Sequence, residues 1–133
     1  MYLLDTNIIS YWMRGDLQLI QKIKSCSPAD LSLSTITLAE IYYGIEKSPL
    51  KKKERRVKIE QIKSQLEIYP FNEAAAVKYG SIRASLEKQG RPISERDLQI
   101  AAIALANKLC VVTHNAKEFS RIVKLSVEDW AVV

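Results

Sequence analysis

The stretch LCVVT at residues 109–113 is a continuous apolar run, of the kind found in strands buried in a parallel β-sheet. Shorter strands are predicted at residues 2–4, 31–34 and 68–69, with a weak one at residues 131–133. Helical patterns separate them and cover residues 8–14, 17–25, 36–46, 51–67, 72–88 and 94–105. This alternation predicts an α/β sandwich with a mostly parallel central sheet.

The composition is that of an ordinary small globular protein. A length of 133 residues predicts one domain spanning residues 1–133. Cys26 and Cys110 have no metal-binding spacing and are interpreted as reduced structural thiols, which fits a cytoplasmic location. The N-terminus lacks the basic region of a signal peptide, and no apolar run approaches the roughly 20 residues of a membrane span, so no membrane partner is expected.

The net charge of +5 is concentrated in one segment. Residues 47–63 contain eight basic and two acidic side chains, so this segment carries +6 and the rest of the chain −1. A basic stripe beside a nearly neutral body favours a polyanionic partner. A solvated helix face remains the alternative interpretation of a charge run.

Several kinds of catalytic site are excluded by the residues present. The chain has neither a GxSxG nucleophile elbow nor a phosphate-binding P-loop, and its four glycines are scattered. His114 is the single histidine, so a two-histidine ribonuclease mechanism is impossible in a monomer and a zinc site lacks ligands. Chemistry based on carboxylates and a metal ion remains.

Three acidic residues stand out by their context. Asp5 follows the first predicted strand, and ligands of open α/β sheets collect at the carboxyl ends of strands. Glu40 shares a helix face with apolar or small residues, where an unpaired carboxylate is costly. Asp97 lies in the first turn of an apolar helix. Each has a structural alternative, since Asp5 and Asp97 could serve helix starts and Glu40 could lie at an amphipathic edge. Thr6 and Asn7 are expected to cap the first helix.

Nearly the whole chain resembles the VapC branch of the PIN-domain family in the order and spacing of its motifs. The matching segments are LLDTN (3–7), STITLAE (34–40) followed by YG (43–44), YGSIR (79–83), GRPI (90–93) leading to Asp97, IAA (100–102), VTHN (112–115), EFSR (118–121) and EDW (128–130). The resemblance implies a PIN-like three-layer α/β/α sandwich with a mostly parallel central sheet. It also implies an endoribonuclease that depends on Mg²⁺ or Mn²⁺, ions that prefer oxygen ligands.

The resemblance also assigns roles to individual residues. Asp5, Glu40 and Asp97 become the catalytic acids, with Asp5 and Asp97 as metal ligands. Thr6 or Asn7 would orient Asp5, and Ser34 or Thr35 would lie near the cleft.

The chain departs from the family pattern at two positions. Asn115 stands where many relatives have a fourth acid; its amide could still coordinate the metal or hold a metal-bound water, in a supporting role, but it adds no charge. The alternative is that Glu118, three residues on, supplies the missing catalytic carboxylate. Ser94 stands where many relatives have glycine, which could alter the turn before Asp97.

The resemblance further implies particular partners. The chain would be the toxin of a type II toxin–antitoxin pair, a homodimer, and silenced by a small cognate antitoxin. The partner of catalysis would be an RNA substrate. The basic segment would hold its backbone, at phosphates away from the reacting one, through Lys52, Lys53, Arg55 and Arg56.

Three alternatives to this function are kept. The chain could be a PIN nuclease of RNA maturation or structured DNA, without an antitoxin. It could be a catalytically inactive PIN module that only binds partners, although Asp5, Glu40 and Asp97 count against this. Finally, Asp5-Thr6-Asn7 weakly resembles the strand end of haloacid-dehalogenase-like phosphatases, but Asn7 replaces their second acid.

Overall fold

A computed structural model describes residues 1–130. Its centre is a five-stranded sheet in the order β3-β2-β1-β4-β5, in which every neighbouring pair is parallel. The strands are β1 (Tyr2–Leu4), β2 (Leu31–Ser34), β3 (Glu67–Tyr69), β4 (Cys110–Val112) and β5 (Val127–Glu128). The predicted mostly parallel sheet is therefore confirmed, and within residues 1–130 every strand pairing is parallel.

Within residues 1–130, five of the seven α-helices are preceded by a polar residue whose side chain caps the first turn. They are α1 (Thr6–Met13), α2 (Leu17–Lys24), α3 (Thr35–Lys47), α4 (Lys52–Lys63), α5 (Glu73–Lys88), α6 (Glu95–Asn107) and α7 (Ala116–Phe119), with a short 3₁₀ turn at Pro28–Asp30. The side chains of Ser34, Asn72 and Ser94 accept hydrogen bonds from backbone N–H groups of the third helical residue in α3, α5 and α6. Such caps satisfy N–H groups that have no partner within the helix.

The sheet separates two apolar cores because successive strand residues point to opposite faces. Leu3 and Val111 pack with α5 and α6, whereas Leu4 and Val112 pack with helices α1 to α4. All four of these side chains are fully buried. The resulting layers of helix, sheet and helix form the predicted three-layer α/β/α sandwich.

Several local predictions are wrong or fall elsewhere. Asp5, not Thr6 or Asn7, caps α1, since its carboxylate accepts the N–H of Thr6. The helix predicted over residues 51–67 ends at Lys63, because Glu67–Tyr69 pairs with β2 as an edge strand. The strand β5 was not predicted, and the weak strand predicted at residues 131–133 lies outside the described residues.

Among residues 1–130, every helix is too short or too polar to cross a bilayer.

Candidate active site

The candidate site lies where the carboxyl ends of the central strands meet. Asp5 follows β1 and Thr113 follows β4, and the N–H of Asp5 donates to the carbonyl of Val112 at 2.9 Å. The chain leaves β1 toward β2 on one side and reaches β4 on the other, so β1 and β4 flank a topological switch point. Crevices at such points are the usual ligand sites of open α/β sheets.

Asp5 is a buried carboxylate held by two hydrogen bonds. Only 4% of its surface is exposed. Its Oδ1 accepts the Thr6 N–H at 2.7 Å, and its Oδ2 accepts the Thr113 hydroxyl at 2.7 Å. Burial raises the pKa of Asp5 to about 6, and the charges of Asp97 and Glu40 add to the rise, while the two hydrogen bonds oppose it. Asp5 is thus expensive to ionise in the metal-free protein.

Asp97 lies in the first turn of α6 and points to the same region. The Asn115 side-chain amide donates to its Oδ2 at 3.1 Å, and its own N–H donates to the Ser94 hydroxyl at 3.3 Å. Burial raises the pKa of Asp97, as do the charges of Glu118 and Glu40, against hydrogen bonding by Ser94 and Asn115. The serine at position 94 therefore caps α6 and leaves Asp97 in place.

Glu40 is already paired. Its Oε1 accepts the Thr6 hydroxyl at 2.6 Å, and its Oε2 accepts Nη1 of Arg96 at 2.8 Å. The Arg96 side chain is 65% exposed and that of Glu40 only 21%. Arg96 thus brings a solvent-exposed positive charge to a carboxylate that lines the cleft.

These acids line one open cleft of about 1040 Å³. Its floor contains Asp5, Glu40 and Asp97. One part of its wall is formed by α1, and another part by α3 and the start of α4. The wall residues are Thr6, Asn7, Ser10, Tyr11, Met13 and Arg14 on α1, Ile41, Gly44 and Ile45 on α3, and Lys51, Glu54, Arg55 and Lys58 at α4, with Asn115 beside Asp97.

The other predicted site residues have different positions. Thr6 and Asn7 line the cleft, and Asn7 accepts the backbone N–H of His114 at 3.2 Å. Ser34 is fully buried and does not line the cleft, since its hydroxyl caps α3 by accepting the Thr37 N–H. Glu118 is outside the cleft lining but close enough to raise the pKa of Asp97.

The predicted basic contacts are divided between two sides of α4. Arg55 lines the cleft. Lys52 and Arg56 both form ion pairs with Glu46, and Lys53 is exposed away from the lining. Lys51 and Lys58, which the prediction omitted, stand beside Arg55 in the lining. The spacing of residues 51, 55 and 58 follows one helical face, a signal that the sequence contains.

Two further residues contact the candidate catalytic acids and were not predicted as site residues. Thr113 was quoted only as part of a motif, yet its hydroxyl connects Asp5 to the backbone N–H of Asn115, which donates to it at 2.9 Å. Arg96 follows no motif at all and is recognised only through its contact with Glu40. Within residues 1–130, no three His, Cys, Asp or Glu side chains form a ready-made metal-binding group.

Comparison with known proteins agrees with this architecture. Residues 2–125 match the model of the PIN domain. The chain is 38% identical over 130 residues to ribonuclease VapC2 of Haemophilus influenzae, covering 97% of each chain. It is 35% identical over 130 residues to the tRNA(fMet)-specific endonuclease VapC of Shigella flexneri, covering 98% of each.

Solved structures give the same result. The fold matches a chain of the DNA-bound VapBC2 complex of Rickettsia felis with a TM-score of 0.90 and 36% identity, over 97% of this chain and 98% of that one. A chain of the DNA-bound VapBC complex of Salmonella typhimurium matches with a TM-score of 0.90 and 35% identity, over 98% of each. The chain therefore belongs to the PIN-domain family, in its VapC ribonuclease branch.

Proposed function

We propose that this chain is a divalent-metal-dependent endoribonuclease that hydrolyses RNA phosphodiester bonds as the toxin of a type II toxin–antitoxin pair. The observation that carries the proposal is the position of Asp5 and Asp97. Both line one cleft at the carboxyl edge of a parallel sheet, and the pKa of each is raised by burial and by neighbouring carboxylates. Carboxylates kept together at this cost need a cation to balance them.

The donor set fits Mg²⁺ or Mn²⁺. Every polar group on the cleft floor offers oxygen, and the lone histidine of the chain is not in the lining. Hard divalent ions prefer oxygen ligands, and Mg²⁺ keeps several waters when few carboxylates hold it. Two carboxylates completed by water therefore suffice, without a cluster of three acids. Asp5 and Asp97 are the residues that would hold the ion.

The surrounding residues prepare these two acids for that role. Thr113 and the Thr6 N–H fix both oxygens of Asp5, and Asn115 fixes one oxygen of Asp97. A bound divalent ion lowers the pKa of water and neutralises charge on the reacting phosphate. Glu40, on the floor of the same cleft, is the carboxylate we assign to accept the proton released by the attacking water. Arg96 would either stay paired with Glu40 or turn toward a phosphate of the RNA, since its side chain is exposed.

The partners follow from the relatives. The matched chains from Rickettsia felis and Salmonella typhimurium belong to VapBC complexes. By the same relationship, this chain would be silenced by a small cognate antitoxin and would form a homodimer. Size-exclusion chromatography with light scattering, of the chain alone and with the product of an adjacent small gene, measures both properties.

The decisive experiment is cleavage of RNA by the purified chain, with variants at the floor of the cleft. Asp5→Asn, Asp97→Asn and Glu40→Gln should each abolish cleavage and keep the fold, and EDTA should stop the parent protein. Glu87→Gln is the matched control, because Glu87 pairs with Arg83 on α5, away from the cleft. Full activity in excess EDTA would overturn the metal assignment.

Mapping of RNA 5′ ends in cells that express the chain would identify the target. Because one relative is named a tRNA(fMet)-specific endonuclease, transfer RNAs are the first pool to inspect. A pattern of new 5′ ends that the Asp97→Asn variant also produces would come from another enzyme and not from this chain.

A further inference from the structure

The wall of the cleft formed by α1 carries an aromatic ring covered by a guanidinium group. Tyr11 lines the cleft and is only partly buried. The guanidinium carbon of Arg14, one helical turn further on, lies 4.8 Å from the centroid of the Tyr11 ring. The His114 ring meets the Tyr11 ring edge-on, with centroids 6.0 Å apart. Three flat groups therefore stand together, two of them in the lining of the proposed active site and His114 just behind Tyr11.

This group is held in place from both sides. The backbone N–H of His114 donates to Asn7, and its ring Nδ1 lies 3.3 Å from Asp129. The other side of Tyr11 packs against the apolar core under α1. Arg14 itself is exposed, lines the cleft, and has no carboxylate within ion-pair distance among residues 1–130. The Arg14 guanidinium, which lies over the Tyr11 ring and has no acidic partner there, is therefore available to contact a bound ligand.

The two walls of the cleft differ in chemistry. The wall near α4 presents the flexible cations Lys51, Arg55 and Lys58, which suit a phosphate backbone. The wall on α1 presents planar groups instead. RNA-binding proteins hold unpaired bases by stacking them on aromatic rings or on the plane of an arginine. A strand lying in the cleft can therefore rest its phosphates on one wall and turn a base toward the other.

We propose that Tyr11 and Arg14, flanked by His114, form a stacking site for one nucleobase of the RNA strand next to the reacting phosphate. The proposal rests on the proposed ribonuclease function and deepens it. It makes the substrate an unpaired stretch of RNA, because a base inside a duplex cannot reach the wall. It also makes the α1 wall the place where the enzyme holds a base, while the wall near α4 holds the backbone.

The test measures binding and not cleavage, so that it remains separate from the proposed function. The Asp97→Asn protein is titrated in Mg²⁺ with a short, fluorescently labelled, single-stranded RNA of mixed sequence. A single abasic site is then moved along the strand. We expect binding to weaken about tenfold when the abasic site falls at one position, and much less elsewhere.

Variants of Tyr11 and Arg14 then decide whether the base at the sensitive position stacks on these two side chains. In Tyr11→Leu and in Arg14→Lys, the difference between the abasic strand and the intact strand should fall well below tenfold, because each variant removes one of the two planar groups that make up the stacking site. Tyr11→Phe keeps the ring and should keep the tenfold difference. Arg14→Lys retains the charge at an exposed site, so it decides the matter even if Tyr11→Leu destabilises the fold.

Three results would overturn the proposal. They are an abasic penalty that is uniform along the strand, a position-specific penalty that survives both Tyr11→Leu and Arg14→Lys, and absence of binding by the intact strand. Cleavage of the same RNA by the parent protein is measured in parallel. Cleavage without a stacking position would overturn the stacking site and leave the ribonuclease function. A stacking position without cleavage would leave a site that binds an RNA base and would overturn the ribonuclease function.

Discussion

Replacing Asp5 by asparagine should stabilise the metal-free protein, although Asp5 is one of the two proposed metal ligands. Burial raises the pKa of Asp5 from 3.8 to about 6 in a side chain that is 4% exposed. A shift of about two pH units corresponds to roughly 3 kcal/mol of unfavourable free energy for the ionised form. Asparagine retains an oxygen for the Thr6 N–H but cannot accept the Thr113 hydroxyl in the same way, which costs about 1 kcal/mol. The net gain at neutral pH is therefore about 2 kcal/mol.

The gain must depend on pH in a defined direction. Because the folded protein holds the Asp5 proton more tightly than the unfolded chain, its stability falls as the pH rises from about 4 through about 6. The variant lacks this group, so its advantage should grow over that window and level off above it. Near pH 4, where Asp5 is protonated in the folded state, the variant should be equal to the parent or slightly less stable.

Urea denaturation in EDTA across this pH range measures the effect. Asp16→Asn is a suitable control, since Asp16 caps α2 outside the cleft, and loss of its charge at a helix start should not stabilise. Mg²⁺ should stabilise the parent by mass action and do much less for the Asp5 variant. An Asp5→Asn protein that is less stable than the parent at neutral pH in EDTA would refute the reasoning, as would a difference that does not change with pH.

Three further outcomes follow from the same geometry. Arg96→Gln should raise the affinity for Mn²⁺ several-fold in calorimetry, because Glu40 loses its paired cation; an unchanged affinity would contradict a competition between Arg96 and the metal. Thr113→Val should shift the pH–activity profile toward higher pH, because a hydroxyl donor to the buried carboxylate is lost, and Thr113→Ser should restore the profile; equal profiles for the two variants would argue against this. Arg55→Gln should reduce the slope of log affinity for single-stranded RNA against log salt by about 0.7. Arg56→Gln, outside the cleft lining and paired with Glu46, should leave this slope nearly unchanged. Equal slopes for the two variants would favour the alternative that the basic segment is only a solvated helix face.

Much of the fold was predictable because its signals are local. The apolar runs that become β1 and β4 are continuous, the leucines of β2 alternate with serines, and Asn72 and Ser94 mark helix starts that the structure retains. The strand β5 has two residues, too few for any periodicity, and forms only because β4 offers it a free edge. The end of α4 was also beyond local patterns, because pairing with β2 competes there with the helix.

The site was predictable residue by residue but not as an arrangement. Asp5, Glu40 and Asp97 each had a local explanation, and only the resemblance joined them. The contacts that build the site connect distant parts of the chain: Thr113 is 108 residues from Asp5, and Arg96 is 56 residues from Glu40. Parallel strands require such long connections, so pairing partners leave no mark in nearby sequence.

The basic segment shows a different limit. Cations lie all round α4, so the charge pattern by itself does not tell which of them face the cleft. Ile59 and Ile62 decide it, because their burial against the core fixes the rotation of the helix about its axis. That rotation turns Lys51, Arg55 and Lys58 toward the cleft, and leaves Lys52 and Arg56 to pair with Glu46.

The charges of the cleft oppose one another in a way that assigns a role to each part. An acidic floor alone would repel an RNA strand, and basic walls alone would bind it without reaction. The walls would hold the strand over a floor that still lacks positive charge. Binding of RNA and binding of a divalent ion should therefore favour each other, since the ion offsets the acids that repel RNA and the RNA offsets the basic side chains that repel the ion. Arg96 provides part of that charge to Glu40 but none of its hydrogen bonds reach Asp5 or Asp97. Asp5 at the end of β1 and the half-buried Asp97 at the start of α6 thus keep the demand for a cation, and under the proposed function the cleft would be complete only when metal and RNA are present together.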